Sequence, residues 1–150
     1  MFEGESERVG TLIETLLPKD TNVYGYIFGG IIMSIMDKAA GVAAWRYCKK
    51  RVVTAGVEAI TFHTPIHVGE VVKATATIIY TSRSSMDMEV LVETADVMND
   101  TQRLAASGFI TMVAVDDRDR PISIARYTPE TEEEQNKYRQ AEVRRSRRKA

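Results

Sequence analysis

The sequence predicts an α+β fold in which a curled antiparallel sheet wraps one long helix. A segment over residues 30–49 is apolar around its whole circumference. Four β-patterned segments follow it, and the connections between them are short enough to favour antiparallel neighbours. The chain has 150 residues, room for one hydrophobic core rather than two.

Residues 9–17 read as a short strand, closed by Pro18-Lys19-Asp20. Thr21-Asn22-Val23-Tyr24-Gly25 is turn-rich, because Asn and Gly tolerate left-handed backbone. Phe28-Gly29-Gly30 then leads into the helix. Ile31, Ile32, Met33, Ile35, Met36, Ala39 and Ala40 keep to no single stripe, and a helix apolar all round is a buried helix. Residues 52–62 are rich in β-branched side chains and end ahead of Pro65. Over 71–80 the pattern alternates, with Val72, Ala74, Ala76, Ile78 and Tyr80 on one face and Lys73, Thr75 and Thr77 on the other. Met86, Met88, Val90 and Val92 repeat this opposite Asp87, Glu89 and Glu93. Residues 104–115 are apolar on both faces and read as a central strand, ended by 116–121. The helix, at ~28 Å, matches the ~33 Å of a ten-residue strand, so the two layers fit in length. From Thr128 onward the chain turns to Glu, Gln, Lys and Arg. The expected division is a domain over 1–127 and a charged helix or tail over 128–150.

Formal net charge is −1. The cations gather at the end, where five of the six residues over 144–149 are Lys or Arg. Such a run is expected to be a solvated tail rather than a nucleic-acid site. Cys48 is the only cysteine, which excludes an internal disulfide and a cysteine-based zinc site and fits a reducing, cytoplasmic setting. The apolar run over 27–36 is too short to span a membrane. Met1-Phe2-Glu3-Gly4-Glu5 has no basic n-region, so no signal peptide is expected. Neither a Gly-x-Ser-x-Gly elbow nor a P-loop nor a dinucleotide fingerprint occurs. His63 and His67 flank Pro65 with no Cys or third His nearby, so no metal is expected there.

The candidate chemistry sits in the helix. Asp37 has Met33, Ser34, Ala40 and Gly41 at helical spacing, so nothing there neutralises it. An unpaired carboxylate in apolar surroundings costs several kcal/mol unless something compensates. It is either on a wet side of the helix or facing a pocket as base or nucleophile. Gly29-Gly30 opens the helix, where free N–H groups and the positive dipole end suit a developing oxyanion. Asp37 lies two turns beyond Gly30, on the same face and ~10 Å along, too far for both to touch one carbonyl. A bridging water or a second subunit closes that gap, and the second subunit is preferred.

These residues also carry a resemblance. Asn22-x-x-Gly25-x-x-Phe28-Gly29-Gly30-x-x-Met33-x-x-Met36-Asp37-x-Ala39 resembles the signature of the hotdog-fold acyl-CoA thioesterases, in the branch of the cytosolic acyl-CoA hydrolases and their small bacterial relatives. Arg51-Val52-Val53-Thr54, Phe62-His63-x-Pro65-Ile66-His67-Val68-Gly69-Glu70 and Tyr80-Thr81-Ser82-Arg83-Ser84-Ser85-Met86 resemble the same branch. The resemblance implies hydrolysis of fatty acyl-CoA at the dimer interface, with Asp37 of one subunit meeting Asn22 of the other. It implies a homodimer, further assembled as a trimer of dimers. The carbonyl would be polarised by the backbone at Gly29, Gly30 or Ile31. Arg83, Ser84 and Ser85 would lie near the coenzyme A phosphates, with Thr54 and Val57 as further coenzyme A contacts. No cofactor is implied beyond coenzyme A itself, as part of substrate and product.

Two rivals remain at this point. A hydroxyacyl dehydratase on the same fold would want a His near the helix, and none precedes His63. A non-catalytic acyl-CoA-binding module would not need Asp37 and Asn22 together.

Overall fold

The computed structural model describes residues 6–148. The segment 1–5 and Lys149, on which two of the expectations above partly rest, lie outside the described residues. Five strands form one antiparallel sheet: β1 (Val9–Thr15), β2 (Val52–Phe62), β3 (Val71–Thr81), β4 (Ser85–Asp96) and β5 (Thr101–Ala114), in the spatial order β1-β3-β4-β5-β2. Helix α1 (Gly29–Cys48) lies in the hollow of the sheet and touches all five strands. This is the hotdog arrangement.

Alternation in the strands builds the core. Val72, Ala74, Ala76 and Ile78 of β3, Met86, Met88, Val90 and Val92 of β4, and Ile110 and Met112 of β5 face α1 and are buried. From the helix, Ile32, Ile35, Met36, Ala39, Ala40, Ala43 and Ala44 meet them. Small residues let the layers approach. A Cβ on Gly10 of β1 would stand 2.4 Å from the Ala43 nitrogen, so only glycine brings β1 onto the helix there.

Three features differ from the sequence expectation. Helix α1 is not covered on every side: Gly30, Met33 and Trp45 are exposed, and Asp37 and Gly41 are half-buried. These positions recur every three or four residues, so they form one open stripe. Tyr80 is on the outer face, because a register shift between Ile78 and Tyr80 inserts Ile79 as an extra residue and reverses the side-chain alternation. Lastly, of the helix or tail expected at the C-terminus, 132–148 takes the helix, and its cations are docked on the sheet rather than solvated.

That helix, α2 (Glu132–Arg148), covers the outer face of the sheet. Thr131 and Glu134 cap it reciprocally: Thr131 Oγ1 accepts from the Glu134 N–H at 3.1 Å, and Glu134 Oε1 from the Thr131 N–H at 2.9 Å. Tyr138 packs on Tyr80 at 4.8 Å between ring centres. The basic run expected to be solvated finds partners: Arg144 lies over the Phe109 ring, Arg145 pairs with Asp87, and Arg148 reaches Glu58 and Asp87. No helix among the described residues is long and apolar enough to cross a membrane.

Candidate functional site

The chain enters α1 through a tightly tied loop. Asp20 Oδ2 accepts the Leu17 N–H at 3.0 Å, and the Asp20 carbonyl accepts the Phe28 N–H at 2.9 Å. Between them Asn22 folds a turn around its own side chain, its Oδ1 accepting from the N–H groups of Tyr24 (2.9 Å) and Tyr26 (3.1 Å). Gly25 supplies the positive φ of 82° that the turn requires. With its oxygen occupied, the Asn22 side chain presents its amide N–H groups, which donate to nothing among the described residues.

At the helix start, the N–H groups of Gly29 and Gly30 find no acceptor among the described residues. Ile31 differs from expectation: its N–H is taken by the Phe28 carbonyl at 3.0 Å, so Ile31 is not a free oxyanion donor. A Cβ on Gly29 would lie 3.2 Å from the Phe62 ring, whereas Gly30 faces open space. A cavity of about 310 Å³ opens beside this helix end, between Gly29, Ile32, Phe62, Ile66 and Ala105.

Two turns further along, Asp37 has a partner that the helix alone could not supply. Thr54 of β2 donates its hydroxyl to Asp37 Oδ1 at 2.7 Å. Thr54 points toward α1 because it stands opposite the inward-facing Met112, ahead of a bulge that separates it from Gly56. One carboxylate oxygen is thereby fixed and the other left available. No hydrogen bond joins Asp37 to Asn22, or to Gly29 and Gly30, within the chain. Val57 also faces the helix side and is 43% exposed, since β2 is the last strand of the sheet.

Ser82, Arg83, Ser84 and Ser85 span the connection of β3 to β4. The row Met86–Met112–Thr54 places this turn two strands from Thr54, ~10 Å across the same end of the sheet. Arg83 is exposed, while Ser85 is buried and its hydroxyl engages Ser82 and Arg145. Ser85 therefore supports the turn rather than presenting its side chain to a ligand. His63 Nε2 contacts Ser107 Oγ at 2.8 Å, and His67 leans on Tyr26. Among the described residues no three His, Cys, Asp or Glu side chains gather to hold a metal ion.

Nearby, Arg103 clamps Glu70 through two hydrogen bonds of 2.8 and 2.9 Å and reaches the Pro65 carbonyl. Glu70 also accepts the His67 N–H. The guanidinium bonds hold its carboxyl below the usual range, against the opposing effect of burial. This pair pins the loop that borders the cavity.

A single helix cradled by five strands, with a hydroxyl-bound carboxylate on its open stripe and free N–H groups at its start, defines a hotdog protein with a polar cleft along that helix. The chain belongs to the Thioesterase superfamily, whose profile matches residues 24–100. It is 37% identical over 136 residues to the cytosolic acyl coenzyme A thioester hydrolase of Rattus norvegicus. That match covers 89% of this chain, which spans only 36% of the rat protein's length. Among solved structures, an apo-hexameric acyl-CoA thioesterase superposes with a TM-score of 0.89 at 31% identity, covering 95% of this chain and 92% of that one. An acyl-CoA hydrolase from Staphylococcus aureus, in complex with butyryl coenzyme A and coenzyme A, gives 0.85 at 33% identity, covering 95% and 87%. Structures of that enzyme with single alanine substitutions at an asparagine, an aspartate and a threonine match as well. Those positions are 15 and 17 residues apart, the spacing of Asn22, Asp37 and Thr54 here.

Proposed function

We propose that this chain hydrolyses fatty acyl-CoA to a free fatty acid and coenzyme A, with Asp37 as general base. The observation that carries this reading is the 2.7 Å bond from Thr54 to Asp37, which holds a carboxylate whose neighbours at helical spacing, Met33, Ser34, Ala40 and Gly41, are all uncharged. The identical spacing of the three residues substituted in the Staphylococcus aureus enzyme supports the same assignment.

In this reading the site is shared between two copies. Strand β2 ends the sheet with eleven residues and an unpaired edge, and Val53, Val57 and Phe62 on it are exposed. A long apolar edge of this kind invites pairing with another strand, and two β2 edges would join into one continuous sheet. The stripe of α1 that bears Asp37 would then face the partner's Asn22 and the partner's free Gly29 and Gly30 N–H groups. The hexameric relatives support further assembly as a trimer of dimers. The word cytosolic in the rat relative's name supports a cytoplasmic location.

The thioester carbonyl sits at the helix start, where those two amides stabilise the oxyanion. Asp37 removes a proton from water, hydroxide adds to the carbonyl, and Asn22 orients the reacting groups. When the carbon–sulfur bond breaks, the thiolate recovers the proton from Asp37. The acyl chain begins in the cavity beside Gly29, and Arg83 attracts the phosphates. No cofactor is required.

The test is release of free thiol from acyl-CoA thioesters of several chain lengths, by the wild type and by Asp37→Asn. Asp37→Asn should lower kcat at least ~10²-fold while the protein stays folded. Undiminished turnover in Asp37→Asn would remove the mechanism, and an acyl-enzyme trapped by hydroxylamine would replace general base with direct attack. Coenzyme A binding without thiol release from any thioester would favour a binding module.

A further inference from the structure

We propose that Arg145, on the outer face of the sheet, is a positioning residue that sets the 82–85 turn for the phosphorylated end of coenzyme A. The inference rests on the hydrolase reading and on Arg83 lying near the phosphates.

The turn is tied from two sides. Toward the segment after β5, the Arg83 carbonyl accepts the Ile124 N–H at 2.9 Å and the Arg83 guanidinium meets Ser123 Oγ at 3.4 Å. From behind, Arg145 Nη2 donates to Ser85 Oγ at 2.5 Å, and Ser85 Oγ is in turn 2.5 Å from Ser82 Oγ. The same guanidinium grips Asp87 with Nε at 2.9 Å and Nη2 at 2.9 Å, and Thr111 donates to Asp87 at 2.6 Å. Both members are withdrawn from water, with side-chain exposures of 20% for Arg145 and 6% for Asp87.

Burying an ion pair is a weak route to stability, because desolvation offsets most of the attraction. What a planar, bidentate fork provides is fixed geometry. Here that geometry ends on a hydroxyl inside the turn bearing Arg83, at the end of the sheet where Thr54 also lies, two strands away. Loosening the fork frees the turn without touching Asp37, so the loss should fall on recognition of the nucleotide end and spare the chemical step.

The experiment compares the wild type, Arg145→Met, Arg145→Lys and Ser85→Ala on an acyl-CoA and on the matching acyl-pantetheine, which lacks the phosphorylated nucleotide. Calorimetric titration with coenzyme A runs in parallel. Arg145→Met should raise KM for acyl-CoA at least about fivefold with kcat within about twofold, and change neither constant for acyl-pantetheine. Arg145→Lys should recover part of the loss. Ser85→Ala, which cuts the tie to the turn and keeps the Asp87 pair, should reproduce the KM rise and weaken coenzyme A binding; it decides the matter where Arg145→Met does not fold. Equal losses on both thioesters, or unchanged KM and coenzyme A affinity in Ser85→Ala, would overturn the proposal. A wild type that hydrolyses neither thioester refutes the hydrolase reading instead, and the titration still reads the turn.

Discussion

Replacing Thr54 by valine keeps its shape and deletes one hydroxyl, the donor at 2.7 Å from Asp37 Oδ1. A hydrogen bond to a charged group is worth about 1.5–3 kcal/mol, and each ~1.4 kcal/mol is tenfold in rate. If the bond serves the transition state, Thr54→Val should lower kcat ~10–100-fold, with the lower figure where water reaches the pair. KM should hardly move, because the hydroxyl acts through Asp37. Thr54→Ser retains the donor and should stay within about threefold of wild type. Steady-state thiol release measures each variant, and a double-mutant cycle with Asp37→Asn adds the decisive number. With the base gone, Thr54→Val should cost little more, since the two residues act as a unit. Full turnover in Thr54→Val, or losses that simply multiply in the double variant, would refute the coupling.

Val57→Glu places a charge on the exposed edge of β2 and should yield monomers by size-exclusion light scattering, with hydrolysis lost; an unchanged assembly would show that the edge is not the joint. Glu70 gives a pH signature. Its carboxyl is held below the ordinary 4.5, so its stabilising effect is present above that value and fades as pH falls through the lowered one. Glu70→Gln should therefore unfold about 2 kcal/mol more easily at neutral pH, and the gap should close in acid. A gap independent of pH in denaturant titrations would mean that the Arg103 clamp is not its source.

What the sequence disclosed follows from which interactions are local. Asp37 stood out because every helical neighbour is uncharged, and the core faces of β3 and β4 because alternation is a backbone property. Asn22 carried no signal beyond turn propensity and entered by resemblance. Thr54 is a polar side chain at an inward position of β2, but its bond to Asp37 joins elements that no spacing rule connects. The reversal at Tyr80 depends on a bulge, which a run of Ile78-Ile79-Tyr80 does not announce. For the C-terminal segment, read as a helix or a tail, the docking onto the sheet was the larger omission. Its cations were judged against their own neighbours, whereas their partners Glu58, Asp87 and Glu89 lie on the outward faces of distant strands. Acid on a sheet face and base on a later helix, taken together, was the available clue.

The two-turn gap between the helix start and Asp37 has a consequence for genetics. When reacting parts come from opposite chains, a dimer built from one Asp37→Asn copy and one Asn22→Ala copy gathers both lesions into the same cleft. The other cleft inherits only intact parts. Two alleles that are each inactive alone would thus complement when co-expressed, because one intact cleft forms in every mixed dimer.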